Sequence, residues 1–393
     1  MRPVIGLQAA SKQGKAHTTA SAGAERRWKQ MNKQKSVLFL ESSKNMGGQE
    51  WQLLQQMQAL QQEGYQCVLL CAEQGLIAAH AKARNLHVIT LPFRNSAHLP
   101  TVRGIWRAIK QYQPMACICH SGHDANNLSI ACLWLRQRPK IIRSRTYYTN
   151  DKKKSWQSLL PLDVVMVPSQ FMQAQIQKQF PSKRVEVVYP GVDFAKLDGQ
   201  TEAMLSEDLQ QWLAARPAAE VIIQVGMFRR EKGHHIVLAA VAQLLERHPN
   251  LVLILAGGGK KQAILEQIAQ LGLSDKVWLG ELSAVAPALR RAQLLVMPSL
   301  LEPLGMVQIE ALGLGVPVIV SNVGGIPETV QHQQTGLIVT EATPEAWATA
   351  MDYGLTHTQE MQRLAAAGQE QVRQQFSRQY NTQRLLQLLS EAA

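Results

Sequence analysis

From Ser36 onward the chain alternates short apolar, β-rich runs with longer stretches whose apolar residues recur at helical spacing. Runs at 37–40, 67–70, 88–91, 116–119, 141–144, 164–167 and 185–188 predict strands, mostly separated by helix-length segments, with a first helix near 49–63. Repeated strand–helix units predict a parallel sheet covered on both faces. The rhythm breaks at Pro190-Gly191 and a polar stretch to about Ala218. It resumes with runs at 221–225, 251–255, 276–279, 293–297 and 317–320. Two similar halves predict an α/β protein of two Rossmann-like, doubly wound domains facing across a cleft, over 36–198 and 199–378. A last helix, in the segment 379–393, carries Leu385, Leu386, Leu388 and Leu389 and needs an apolar surface, for which the N-terminal domain is the candidate.

Composition narrows the possibilities. A length of 393 residues suits two domains, and 46% hydrophobic with 18% charged residues describes a soluble globular protein. No apolar run approaches the roughly 18 residues needed to span a bilayer. The net charge is +12, but the first 30 residues hold six basic groups and one acid, which leaves +7 for the remainder. The leader, 1–35, is polar, basic and expected to be disordered, with Met31 as an alternative start. The remaining excess favours an anionic partner: a diphosphate, a phosphorylated glycan or an acidic membrane. Nucleic acid is not expected, because no segment combines a basic stripe with interleaved aromatics. Cys67, Cys71, Cys117, Cys119 and Cys132 form no CxxC pair and sit mostly in apolar runs. Buried, reduced thiols in a cytoplasmic protein are expected.

The strongest chemical signal is the phrase from Pro298 to Gly313, which follows the apolar run 293–297 and contains Glu302, Gly305 and Glu310. Glu302 falls in a strand-to-helix loop, and Glu310 lies more than one turn into the helix that starts near Gly305. The first amides of that helix, around Gly305, Met306 and Val307, lack intrahelical partners and can seat a diphosphate. Glu310 can accept two hydroxyl bonds from a ribose, and Glu302 can reach hydroxyls of a transferred sugar. A second phrase, 226–233, again joins a strand to a helix and carries Arg229, Arg230 and Lys232, cations suited to a departing diphosphate. Gly257 and Gly280 follow later strands, at the same carboxyl ends. No Asp-x-Asp pair occurs, so no metal is expected on the diphosphate and no cofactor beyond the donor itself.

These residues resemble glycosyltransferase family 4, the retaining enzymes of the two-lobed GT-B fold. The Glu302-x7-Glu310 phrase, EKG at 231–233 and NVGGIPE at 322–328 carry the resemblance, with fainter support from MGGQE at 46–50 and YPGVD at 189–193. It implies that Lys232 binds the donor diphosphate, Glu310 the ribose and Glu302 the donor sugar. Gly47 and Gly48 would form a loop approaching phosphates and acceptor. The chain departs from the family at Met227, where an arginine usually stands, leaving Arg229 or Arg230 as its substitute. It also lacks the usual histidine after the strand ending near Arg143. His120, His123 and Asp124, at another strand end, are then candidates for the acceptor.

The resemblance implies sugar transfer from a nucleotide sugar to a hydroxyl of a glycan or glycolipid acceptor, with retained configuration, in bacterial envelope synthesis of the lipopolysaccharide type. A nucleotide-sugar epimerase of the same architecture and a non-catalytic nucleotide- or glycan-binding relative are the alternatives. Val102, Ile105, Trp106 and Ile109, flanked by Arg103, Arg107 and Lys110, together with Lys152–Lys154 and Trp156, suggest peripheral contact with an anionic membrane at the inner face of the cytoplasmic membrane.

Overall fold

The computed structural model describes residues 35–147 and 162–391. The reading of the leader and the lysines of 152–154 therefore lie outside the described residues. A first sheet contains β1 (Ser36–Glu41), β2 (Gln66–Ala72), β3 (His87–Leu91), β4 (Ala116–Cys119), β5 (Lys140–Ser144), β6 (Val164–Val167) and β7 (Val185–Val187), in the order β3-β2-β1-β4-β5-β6-β7. A second contains β8 (Glu220–Val225), β9 (Leu251–Ala256), β10 (Val277–Gly280), β11 (Leu294–Met297), β12 (Val318–Ser321) and β13 (Leu337–Val339), in the order β10-β9-β8-β11-β12-β13. The second sheet is parallel throughout, and the first is parallel from β3 to β5. The α/β class and doubly wound sheets expected from the rhythm are present.

Why the strands read as continuous apolar runs is clear in the second sheet. Successive side chains point to opposite faces, and both faces are covered. Val221 and Ile223 of β8 join one core cluster with Ile254, Leu295 and Val318. Ile222, between them, joins another with Leu253, Val296 and Ile319. A strand buried on both sides has no polar face to alternate with. β13 is three residues long, too short to have shown in the pattern.

The chain divides into two compact units. Among described residues the first holds 35–144, 162–165 and 386–391, and the second holds 145–147 and 166–385. The division thus falls at Met166, well before the expected boundary after residue 198. Hydrogen bonding within the second unit explains the shift. Glu328 accepts from the backbone amides of Gln170 and Phe171, both at 2.8 Å, capping the helix Gln170–Gln179. Ser169 Oγ donates to the Pro303 carbonyl at 2.6 Å. The final helix, Arg378–Ser390, contributes its end to the first unit, where Lys140 Nζ donates to the Leu388 carbonyl at 3.0 Å.

The helix Leu99–Tyr112 corrects part of the membrane expectation. Val102, Ile105 and Ile109 are buried in the first unit's core, so the apolar stripe covers the sheet. Trp106 alone of that group is exposed, at 37%, with Lys110 Nζ 5.8 Å from its ring. All five cysteines are free and buried, and burial pushes the thiols of Cys67 and Cys132 up to about 12.

Candidate functional site

In a doubly wound sheet ligands gather outside the carboxyl ends of the strands, where the strand order reverses. In the second unit that point lies between β8 and β11. The two phrases singled out in the sequence leave those two strands: 226–233 follows β8 and 298–306 follows β11. Sheet topology thus makes neighbours of segments about seventy residues apart.

Local bonding joins them. The Leu300 amide donates to the Glu231 carbonyl at 2.7 Å. Gln224 Nε2, at the end of β8, donates to the Lys232 carbonyl at 2.7 Å and holds the turn Arg230–Lys232 in place. Lys232 Nζ then meets Glu302 Oε2 in direct contact. Glu302 is buried, at 7% exposure, and Lys232 half-buried. A buried carboxylate in hydrogen-bond contact with an ammonium is a strong, charge-assisted pair, and removing one member leaves the other uncompensated.

Glu302 is also fixed through its backbone. Its carbonyl accepts from the Gly325 amide at 3.1 Å. Gly324 adopts φ +58°, and a Cβ there would fall 1.8 Å from the same carbonyl, so only glycine fits. The glycine pair of the 322–328 phrase therefore lets that turn lie directly behind the Glu302 loop.

The helix Val307–Gly313 begins with no side-chain cap. Among the described residues the amides of Leu304, Gly305, Met306 and Val307 have no hydrogen-bond partner. Half-buried Gly305, Met306 and Val307 thus present open donors beside the Lys232–Glu302 pair. Glu310 lies one turn on, half-buried, and burial pushes its carboxyl up to about 7.

Other expected residues sit less centrally. Arg229 and Arg230 are both exposed, and Arg229 is 3.9 Å from Glu231. Met227 is exposed too, at 47%. Gly257 belongs to a backbone-on-backbone contact: a Cβ there would stand 1.9 Å from the Gly226 carbonyl. Gly280 closes the same edge, its carbonyl accepting from the Gly257 amide at 2.8 Å. These glycines pack the strand-end loops together.

In the first unit the order reverses between β1 and β4, whose loops are linked by Ser42 Oγ and Ser121 Oγ, 2.9 Å apart. Gly47 and Gly48 open the helix Gly48–Gln62, and the Gly47 amide donates to Glu50 Oε2 at 2.8 Å. His120 is buried, and Nδ1 lies 3.0 Å from the Leu40 carbonyl. Nδ1 must therefore carry a proton, leaving Nε2 as the acceptor, and burial lowers the ring's pKa so that it stays neutral. His123 is exposed, with Nδ1 2.7 Å from Ser96 Oγ. Asp124 departs from expectation. It is fully buried, and Oδ2 accepts from the Ser121 amide at 2.9 Å while its own amide donates to Ser121 Oγ at 3.0 Å. That reciprocal cap uses one carboxylate oxygen on its own helix, while the other, Oδ1, is buried with no partner. Nearby Glu41 is pushed up to about 8 by burial and by the charge of Asp124.

Sequence reasoning passed over Ser169, Gln308 and Thr329, which support the Glu302 loop from behind. One signal was available: Gln308 is the single neutral polar residue inside the apolar phrase Met306–Gly313. Among the described residues no group of three His, Cys, Asp or Glu side chains could hold a metal ion, and no helix is long and apolar enough to cross a membrane.

Residues 206–371 match the family model "Glycosyl transferases group 1", and residues 46–196 match "Glycosyltransferase Family 4". A D-inositol 3-phosphate glycosyltransferase of Corynebacterium urealyticum is 34% identical over 221 residues, 52% of this chain and 51% of that protein. The chain spans about half the length of the curated relatives it matches. Among solved structures, a glycosyltransferase from Rickettsia africae aligns with a TM-score of 0.78 at 20% identity, covering 91% of this chain and 98% of that one. Anabaena HepE in complex with UDP-glucose aligns at 0.76 and 21% identity, covering 91% and 99%. The likeness in fold extends over both units.

Proposed function

The chain belongs to the group 1 glycosyltransferases of family 4, and on that premise we propose that it transfers a sugar from a nucleotide diphosphate donor to a hydroxyl acceptor with retention of configuration. The observation that carries this reading is the meeting of Lys232 and Glu302 at the strand-order reversal, beside the open amides of Gly305, Met306 and Val307. Lys232 and those amides receive the diphosphate and stabilise the charge that grows as it leaves. Arg229 or Arg230 supplies a further cation in place of Met227. Glu302 holds hydroxyls of the donor sugar, and Glu310 accepts from the ribose. The acceptor hydroxyl attacks the anomeric carbon on the face from which the diphosphate departs. Its proton passes to the leaving diphosphate. No metal takes part in this scheme.

The acceptor is a sugar hydroxyl of an envelope glycan or glycolipid. Its anionic character is supported by the basic excess of the chain and by relatives named for an inositol phosphate. His120 Nε2 and His123, at the carboxyl end of β4, are its contacts in the first unit. Meeting such an acceptor at the inner face of an anionic membrane would use exposed Trp106 and Trp134 with the basic residues of the helix Leu99–Tyr112.

Incubation with UDP-, GDP- and ADP-sugars, with and without a panel of glycan acceptors and in the presence of EDTA, tests the proposal. Release of nucleoside diphosphate that requires an acceptor supports transfer, and the anomeric coupling of the product reports retention. Conversion of the donor sugar without an acceptor would make the protein an epimerase. Donor binding without turnover would make it a non-catalytic relative.

A further inference from the structure

Gln308 is completely buried in the first turn of the helix Val307–Gly313. Its Nε2 lies 2.8 Å from the Leu304 carbonyl, 3.2 Å from the Gly305 carbonyl and 3.1 Å from Thr329 Oγ1. Thr329 Oγ1 in turn donates to the Ile326 carbonyl at 2.7 Å, which anchors the amide in the turn that follows Gly324-Gly325. Gln308 Oε1 is buried and has no partner. An orphaned amide oxygen is an expensive choice for a core position that an apolar side chain could fill.

The geometry of the peptide unit supplies a reason. In a trans peptide the C=O and the following N–H point in opposite directions. Holding the Leu304 carbonyl inward therefore turns the Gly305 amide outward. Holding the Gly305 carbonyl inward does the same for the Met306 amide. Gly305 has φ +84°, and a Cβ on it would fall 2.5 Å from Gln308 Oε1, so glycine and glutamine fit together as a unit. The Pro303 carbonyl, held by Ser169 Oγ, continues the pattern, while the Glu302 carbonyl, held by the Gly325 amide, precedes a proline and directs no amide.

We infer that Gln308 is a positioning residue for the donor diphosphate: by binding two loop carbonyls from behind, it aims the amides of Gly305 and Met306 at the phosphates. The inference rests on the donor site proposed above. It assigns the helix and its Glu310 to the nucleoside, and the loop that Gln308 controls to the phosphates. The two should then be separable.

Calorimetric titration separates them. Of UDP, GDP and ADP, the one that binds the wild-type protein most tightly is compared with its parent nucleoside, in wild type, Gln308→Met and Thr329→Val. Gln308→Met keeps the length of the side chain and removes its donors. The diphosphate dissociation constant should rise at least tenfold in Gln308→Met and about threefold in Thr329→Val, while nucleoside affinity changes less than twofold. Unchanged diphosphate affinity overturns the inference. So does an equal loss for nucleoside and diphosphate, which would mean that the helix as a whole has been disturbed. If Gln308→Met does not fold, Thr329→Val carries the same comparison. A wild type that binds none of the three diphosphates fails the donor-site proposal itself, visibly and before any variant is compared.

Discussion

At their strand-order reversals the two units treat the helix N-termini that follow in opposite ways. In the first unit, helices beginning at Gly48 and Gly122 are each closed by an acid of their own first turn, Glu50 on the Gly47 amide and Asp124 on the Ser121 amide. In the second unit, the helices at His234 and Val307 have no side-chain cap, and Lys232 stands just before Gly233, the N-cap of one of them. A helix N-terminus carries positive potential that some anion will satisfy. Where the protein supplies a carboxylate, the terminus is structural. Where it supplies none and adds a lysine, the terminus keeps the open donors and positive potential that the proposed diphosphate site uses. The contrast explains why similar strand-end loops, both at a reversal of strand order, are expected to play different parts.

The harshest test removes the cation. Lys232→Ala should lower turnover more than 100-fold, since losing one donor to a developing anion costs about 3 kcal/mol, whereas Arg229→Ala or Arg230→Ala should cost much less. Steady-state rates would show it, and normal transfer in all three variants would put the diphosphate elsewhere. The second test makes one terminus resemble the other. Met306→Asp places an acid at the open end of the helix Val307–Gly313, and diphosphate affinity should fall about tenfold, through repulsion on the scale of a partly buried charge at a helix end. If calorimetry shows affinity unchanged, those amides do not hold the phosphates.

Glu310 sharpens the comparison through pH. Burial raises its carboxyl from 4.5 to about 7, so the folded protein binds the extra proton between those values. Its contribution to stability therefore falls as pH rises from about 4.5 to about 7, because the folded state is the one that must give up the proton. The proposed ribose contact uses the ionised form. Donor affinity should thus drop several-fold as pH falls from 8 to 6, and Glu310→Gln should bind weakly but without that dependence. The melting temperature of Glu310→Gln relative to wild type should rise from pH 5 to pH 8. An identical pH response in both proteins would remove Glu310 from the site.

The mildest test concerns the closed termini. Glu50→Ala should cost about 1 kcal/mol, the usual worth of a cap, seen as a melting temperature lower by a few degrees. Nucleoside diphosphate affinity should not change, because that acid serves its own helix. A marked loss of donor affinity would show that the first unit's loop does more for the phosphates than cap itself.

By itself the sequence determined the strand–helix rhythm and the place of each motif, with Lys232, Glu302 and Glu310, at a strand's carboxyl end. Such features depend on neighbours within a few residues: apolar runs make strands, and glycine with polar residues makes the loops after them. Only the tertiary structure decided which loops meet. Strand order sets β8 beside β11, so Lys232 reaches Glu302 across 70 residues. The same long-range packing drew Ser169 into the second unit and gave Glu328 a helix to cap. Gln308 shows the limit most plainly. A glutamine in an apolar phrase looks misplaced until the carbonyls of Leu304 and Gly305 are seen folded back against it. Their direction depends on the turn at Ile326–Glu328 and Thr329 beyond it, which reach the loop only when the sheet has assembled.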